Sequence, residues 1–437
     1  MALGGGTFVT QNKILPGSYI NVISAASASA ELSDRGIVAI PMELKWGQEG
    51  SVITVEKGDV EKGDFQKNCF KLFGYSYTDD EMKPLREISM NAVKVFVYRL
   101  GTGVKAQNTF GTAKHAGSRG NSIKVVISTN VDDPTKSDVK TFVGSQLVDS
   151  QTVLTAGKTD ALVDNDFVVW KNDVAISNTA GTAMTGGKDA TVTGSDYSTA
   201  LGALESYGFN VLICDSDDNT TKGLYFNFTK RMRDEIGVKF QCVIHKYTTA
   251  DYEGVVSVEN NDTPEMVYWV GGALAGCAIN RSLTNRLYNG EYTVNVNYTQ
   301  TELEAALLAG KFIFHAVGDS VRVLEDINSL VTVTDDKSDI FKDNQTIGVV
   351  DQIANDIASL FNTKYLGVVP NDESGRISLW ADIVKHHEQL QDIRAIENFN
   401  DADVTVSQGN TKKSVVVNDV VTVVNTMTQL YMTCIVQ

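Results

Sequence analysis

The chain has 437 residues, 42% of them apolar and 21% charged, which predicts two or three globular domains rather than a disordered chain. Its formal net charge of −16 argues against nucleic acid as a partner, because no dense basic face is present to displace phosphate counterions. The longest apolar stretch, residues 267–279, is too short to span a bilayer, and the first residues lack the pattern of a secretory signal. We therefore expect folding in the cytoplasm, with no direct insertion into a membrane.

The start of the chain contains two short runs of β-branched and aromatic residues, 7–10 and 19–23, on either side of Pro16-Gly17. Such runs suit a pleated strand better than a helix. A linker of serine and alanine, residues 24–30, follows them. We therefore predict an arm and linker over residues 1–30. Its strand-forming side chains are Phe8, Val9, Tyr19, Ile20 and Val22.

Residues 31–100 begin a β-α-β pattern. Apolar runs at 36–46 and 94–99 predict strands, and residues 80–91 predict a short helix with Pro84 near its first turn. The composition then changes. From 101 to 194, short β-branched runs alternate with turn clusters rich in threonine, serine, aspartate and glycine, a pattern typical of a β-sandwich. Glycines at both borders indicate where this module could be inserted.

Helices and strands alternate over residues 195–335, which predicts an α/β layer on a largely parallel sheet. We predict strands at 209–214, 238–245 and 311–316. Between them lie helices that begin near Tyr197, Thr221, Thr263 and Thr301, the last with the capping-box spacing to Glu304. The small residues of Gly272-Ala-Leu-Ala-Gly276 should let their helix pack closely on the sheet.

Residues 336–437 predict a C-terminal α+β domain: helices at 345–361 and 374–397, then two β-branched runs at 414–425 and 429–437. A strand this apolar must add to a sheet, because it exposes unpaired backbone groups and an apolar face. The composition leaves two partners open, a sheet of the same chain or one of a neighbouring copy. The side chains predicted to pair are Val420, Val421, Val423, Leu430, Met432, Cys434 and Val436.

No pattern of residues indicates catalysis, a cofactor or a metal. The glycine-rich residues 181–188 fail as a phosphate loop, because the spacing is wrong and no helix follows. The adjacent His386-His387 lacks the one-turn spacing of a zinc pair, so we expect these rings at solvent or an interface. The five cysteines, an odd number with no Cys-x-x-Cys pair, favour reduced and buried thiols. The chain is therefore predicted not to be an enzyme.

Several segments resemble the tail sheath proteins of contractile phages, and look most similar to sheaths of phage-like particles and tailocins of Gram-positive bacteria. The resemblance covers nearly the whole chain and is weakest in the β-module. It is carried by residues 6–21, Arg35-Gly-Ile-Val-Ala-Ile-Pro41, Asn280-Arg-Ser-Leu-Thr-Asn285, residues 318–328 and the chain from Asn344 onward.

The resemblance implies a subtilisin-like fold for the α/β layer, without proteolysis, since no serine nucleophile turn is present. It also implies a helical homopolymer around a tail tube, whose subunits complete sheets in their neighbours with both chain ends and contract from a metastable extended state. The expected partners are other copies, the tube protein, and baseplate and tail terminator or collar proteins. The particle would assemble in the bacterial cytoplasm and leave by lysis. Lys385, His386 and Arg394 are the predicted tube-facing side chains.

Two other classes stay open from the sequence. An α/β hydrolase is suggested only by the predicted layer. A self-assembling surface-array protein is suggested by the β-module and the strand-forming ends, but it should carry an export signal.

Overall fold

A computed structural model of the chain describes residues 32–57, 65–247 and 249–436. The predicted arm, with Phe8, Val9, Tyr19, Ile20 and Val22, lies outside the described residues. The chain divides into two compact units. We call residues 33–354 with 423–436 the core unit, and residues 355–422 the C-terminal unit.

The described residues form the following strands and helices. The strands are β1 (Ile37–Met42), β2 (Val52–Glu56), β3 (Lys94–Arg99), β4 (Gly111–Ala113), β5 (Ile123–Thr129), β6 (Lys136–Val143), β7 (Gln146–Leu154), β8 (Val168–Trp170), β9 (Thr179–Ala183), β10 (Val211–Cys214), β11 (Gln241–His245), β12 (Val255–Val258), β13 (Lys311–Phe312), β14 (Phe314–Val317), β15 (Ser320–Val323), β16 (Ile396–Glu397), β17 (Val404–Gln408), β18 (Val415–Asp419) and β19 (Thr422–Val423). The helices are α1 (Phe65–Phe73), α2 (Lys83–Ser89), α3 (Gly194–Leu204), α4 (Asn219–Lys230), α5 (Met266–Ala275), α6 (Gln300–Leu308), α7 (Asn344–Leu360) and α8 (Glu373–Asp392).

The core unit is built on a seven-stranded sheet in the order β13-β12-β11-β10-β1-β3-β2. All neighbouring strands pair in parallel except β2, which runs antiparallel to β3. Every residue of β10 is buried, because helices cover both faces of the sheet. Val211 and Ile213 join the apolar cluster that includes α2 and α5, whereas Leu212 and Cys214 join the cluster of α3 and α4. The predicted mixed α/β fold is confirmed.

A β-sandwich module lies between β3 and α3. Its antiparallel sheet has the order β7-β6-β5-β9, and a second pair joins β4 to β8. The core between them is mostly aliphatic and includes a pair of stacked rings: Trp46, which follows β1, stacks on Phe167 with ring centroids 5.6 Å apart. The predicted β-sandwich is therefore confirmed. The chain enters and leaves the module side by side, since the Val104 and Lys188 backbones exchange hydrogen bonds of 2.8 and 3.1 Å.

The small residues of α5 pack against a helix as well as the sheet. A Cβ at Gly272 would lie 2.4 Å from the carbonyl oxygen of Ile88 in α2, and one at Gly276 would lie 2.0 Å from that of Asn91. The glycine that meets the sheet is Gly271, just before the predicted stretch, where a Cβ would lie 2.4 Å from the side chain of Ile213. Glycine is required at positions 272 and 276 because a Cβ there would overlap a backbone carbonyl oxygen.

Several predicted helix boundaries are wrong. Helix α3 begins at Gly194 rather than near Tyr197, and α5 begins at Met266 rather than near Thr263. The capping box of α6 joins Thr299 and Glu302, two residues earlier than the predicted Thr301 and Glu304, because each side chain of the pair at 299 and 302 bonds the other's backbone N–H. Helix α8 ends at Asp392 rather than near residue 397, and Arg394 just beyond it has a φ of 61°.

The C-terminal unit has a small apolar core of its own. Leu379 and Ile383 on α8 pack with Leu360, Tyr365 and the β17 residue Val404. The strands β17 and β18 form an antiparallel hairpin with Val406 opposite Val417. The unit therefore presents a two-stranded sheet supported from one side by a helix.

Candidate inter-subunit elements

The last residues of the chain form an exposed apolar segment, residues 427–436, which we call the tail segment. Its apolar side chains are almost wholly accessible to solvent in the single chain. The exposed fractions are 100% for Met427, 87% for Leu430, 87% for Tyr431, 79% for Met432, 81% for Ile435 and 89% for Val436, and Cys434 is exposed too. Stable monomers rarely leave so much contiguous apolar surface in water, so the tail segment has the character of an interface.

The two predicted terminal strands have different outcomes. Within the run at 414–425 the structure forms β18 and the short β19, whereas the tail segment forms no strand as far as residue 436, the last described. The strand predicted over 429–437 is therefore absent from the described part of the single chain. Val420 is 65% exposed, and Val421 and Val423 are half-buried.

The hairpin β17–β18 is an open sheet. In the parts of the chain that the structure describes, no third strand pairs with either of its outer edges. Val416 and Val417 on β18 are 46% and 37% exposed. Open edges of this kind can accept a further strand, because each presents a row of unpaired N–H and C=O groups.

The residues just before the tail segment are bonded to the start of α7. The Gln345 side-chain amide donates to the carbonyl of Val424 at 2.9 Å and accepts from the backbone N–H of Thr426 at 3.1 Å. The Asn425 side chain accepts from the Thr346 hydroxyl at 3.1 Å and donates to Asp343 at 2.6 Å. These contacts could not be predicted from the sequence, because they join residues about 80 positions apart and no local pattern marks them.

The predicted tube-facing residues do not share one environment. Lys385 and Arg394 are exposed, but His386 is 1% and His387 0% exposed, so the expectation that these rings lie at solvent or an interface is wrong. The buried stripe of α8 runs through positions 379, 383, 386, 387 and 390, which is the helical repeat of one face. The expectation of exposure rested on the absence of zinc-pair spacing, whereas the position of the two rings on the helix, between Ile383 and Leu390, decides their burial.

The two buried histidines are satisfied by carboxylates. His386 Nε2 lies 3.0 Å from Asp356, and His387 Nε2 lies 2.8 Å from Asp419 at the end of β18. The two Nδ1 atoms lie 3.3 Å apart, so one ring must donate and the other accept. This chain of bonds ties α7, α8 and β18 together inside the C-terminal unit.

Titratable groups elsewhere fit a packed interior. Burial raises the pKa of the thiols of Cys69 and Cys242 to about 12, which keeps them protonated and unreactive. His245 bonds Asp217 at 2.7 Å and the backbone of Asn261. Within residues 32–57, 65–247 and 249–436, no three metal-binding side chains cluster. No helix in the same ranges has the length and apolar character needed to cross a membrane.

Comparison with family models matches successive parts of the chain to phage tail sheath domains. The "Tail sheath protein Gp18 domain III N-terminal region" matches residues 35–100, and the "Phage tail sheath protein beta-sandwich domain" matches 98–189. The "Phage tail sheath protein central domain" matches 190–329, and the "Phage tail sheath C-terminal domain" matches 336–437.

Individual proteins are similar to this chain over nearly their whole length. The phage-like element PBSX protein XkdK of Bacillus subtilis is 31% identical over 98% of this chain and 99% of its own. The solved sheath tail protein of Desulfitobacterium hafniense is 37% identical with a TM-score of 0.79, covering 90% of this chain and 93% of that one. The sheath tail protein of Listeria innocua is 32% identical with a TM-score of 0.77, over 92% and 94% of the two chains.

Proposed function

This chain belongs to the phage tail sheath family, and we propose that its copies polymerise around a tail tube by donating strands to one another. The tail segment supports this proposal most directly: it is apolar, exposed and without a strand partner in the described single chain. The open hairpin β17–β18 supplies edges of the kind that such a segment needs. Main-chain ladders give the contact its affinity, and alternate side chains give it register.

The N-terminal arm is the second donor in this proposal. Phe8, Val9, Tyr19, Ile20 and Val22 keep their role as predicted pairing residues, and the linker at 24–30 would let the arm reach a neighbouring copy. With both ends donated, each subunit would be bonded to more than one neighbour.

Contraction would follow from joining rigid bodies by persistent ladders. If the donated strands stay paired while the bodies between them rotate, the sleeve can shorten and widen without coming apart. The extended state would then be metastable, held by the tube and baseplate. A small free-energy drop per subunit, multiplied over many copies, would drive the tube through a cell envelope.

The proposed partners are other copies of the chain, the tube protein, and baseplate and terminator or collar proteins. On the tube side we propose Lys385 and Arg394, which are exposed, and withdraw His386, which is buried. Exposed charges suit a contact that must release during contraction, because water and salt screen them. Assembly in the cytoplasm, release by lysis and a subtilisin-like layer remain predictions.

Family membership favours a structural role over the hydrolase and surface-array alternatives. The test is negative-stain electron microscopy of the purified full-length chain over a range of concentrations. We expect hollow, ribbed cylinders above a critical concentration. A chain that stays monomeric at every concentration, alone and with tube protein, would refute the proposal.

A further inference from the structure

The attachment of the tail segment to the body of the subunit is specified by three side chains at the start of α7. Gln345 and Thr346 are 6% and 1% exposed, so their polar groups need partners inside the protein. The partners come from residues 424–426 of the same core unit.

The Gln345 side chain makes the same pair of backbone hydrogen bonds to residues 424 and 426 that a neighbouring β-strand would make. Its amide reaches the carbonyl of residue 424 and the N–H of residue 426, the two backbone groups that flank Asn425. A residue in a parallel ladder bonds the two flanking residues of its neighbour in the same way. One buried side chain thus makes the two backbone hydrogen bonds that a neighbouring strand would make. These bonds fix the direction in which residues 424–426 lead away from α7.

Both polar atoms of the Asn425 side-chain amide are hydrogen-bonded. The Thr346 hydroxyl donates to its oxygen at 3.1 Å, and its nitrogen donates to Asp343 at 2.6 Å. The segment cannot slip by one residue without breaking these two hydrogen bonds, because Val424 and Thr426 on either side have no side-chain amide. The side chain of Asn425 therefore sets the register in which residues 424–426 are bonded to the start of α7.

We propose that Asp343, Gln345 and Thr346 form a clamp that fixes residues 424–426 to the core unit, so that the donated tail segment starts at Met427 in a defined register. This inference rests on the proposed strand donation. The clamp belongs to the core unit, whereas the open hairpin belongs to the C-terminal unit. Force on the donated strand would then be transmitted between the core unit of one copy and the hairpin β17–β18 of its neighbour.

The clamp is tested first in the monomer by hydrogen exchange at the Thr426 amide. In the wild-type monomer this amide should exchange about tenfold more slowly than the amides of the tail segment, and Gln345→Ala should abolish the difference. The matched control is Gln146→Ala, which replaces an exposed glutamine of the sandwich and should leave the exchange rate of the Thr426 amide unchanged. Equal exchange at Thr426 in wild type and Gln345→Ala would overturn the clamp.

The second readout is the critical concentration for polymers, measured by sedimentation. Loss of the two Gln345 bonds should raise it roughly tenfold, because the donated segment loses its fixed origin. Asn425→Ala removes contacts from the other side without altering α7, so it should have a similar effect even if Gln345→Ala folds poorly. Wild-type critical concentrations in both variants would overturn the clamp. Absence of polymers from the wild type, both alone and with tube protein, would instead overturn strand donation, while the exchange result still decides the clamp.

Discussion

Replacing Leu430 by alanine should weaken polymers without affecting the monomer. The Leu430 side chain is 87% exposed in the single chain, so its truncation removes almost no contact there. A substitution at such a surface position changes the free energy of unfolding by no more than about 0.5 kcal/mol. The melting temperature of the monomer should therefore stay at its wild-type value.

In the polymer the same side chain would be buried in a neighbour's sheet. Full burial of a leucine contributes about 1.5–3 kcal/mol, and alanine retains only a small part of it. A loss of about 2 kcal/mol per subunit raises the critical concentration roughly 30-fold. Met432→Ala, two residues along on the same predicted face, should act similarly, since alternate residues of a strand share a face.

The assay is sedimentation of polymers over a concentration series, with thermal melts of the monomer at low concentration. Thr433→Ala is the control, because residue 433 lies on the opposite predicted face of the segment. Equal critical concentrations for wild type, Leu430→Ala and Met432→Ala would refute the burial of this face. A strong effect of Thr433→Ala alone would mean that the register is displaced by one residue.

Three further predictions test separate parts of the molecule. Gly272→Ala should lower the free energy of unfolding by about 1–3 kcal/mol in thermal or denaturant melts, because its Cβ would clash with the α2 backbone, whereas Gly202→Ala in α3 has open space and should be neutral or stabilising. Burial and nearby carboxylates raise the pKa of Asp343 to about 6, so its contribution to stability falls as pH rises through about 6. Asp343→Asn should accordingly raise the Tm at pH 7 and lose most of that advantage by pH 4. Reversing Lys385 and Arg394 to glutamate should impair co-assembly with tube protein in sedimentation assays but spare polymers of sheath alone, and unchanged co-assembly would reject this contact.

Local patterns predicted much of the sheet. The run at 94–99 forms β3 with the predicted bounds, and the buried strands β10 and β11 lie within theirs. These strands are continuous apolar runs between turn residues, and that information is local. The mixed α/β class and the sandwich followed from the same kind of pattern.

The candidate site was less predictable, because its decisive contacts are distant in sequence. Nothing near Gln345 indicates that its amide meets residues 424 and 426. Burial of His386 did have a local signal, because this ring lies one turn after Ile383 and one turn before Leu390 on the same helical face. The predicted strand at 429–437 is absent from the described single chain, since a strand needs a ladder partner and composition does not supply one.

The paired backbones of Val104 and Lys188 have a consequence for how such a chain can diversify. Because the polypeptide departs from the core and returns to it at one bonded pair, the exposed turns of the module can be enlarged or shortened with little effect on the sheet beneath. The inner side of the module is less free to change, because Trp46 packs on Phe167 and Arg99 donates to the carbonyl of Ala116. A compact foreign protein grafted between these two residues would occupy a position whose ends already meet. The exposed turns of the module can thus change in sequence and length while the seven-stranded sheet keeps its own.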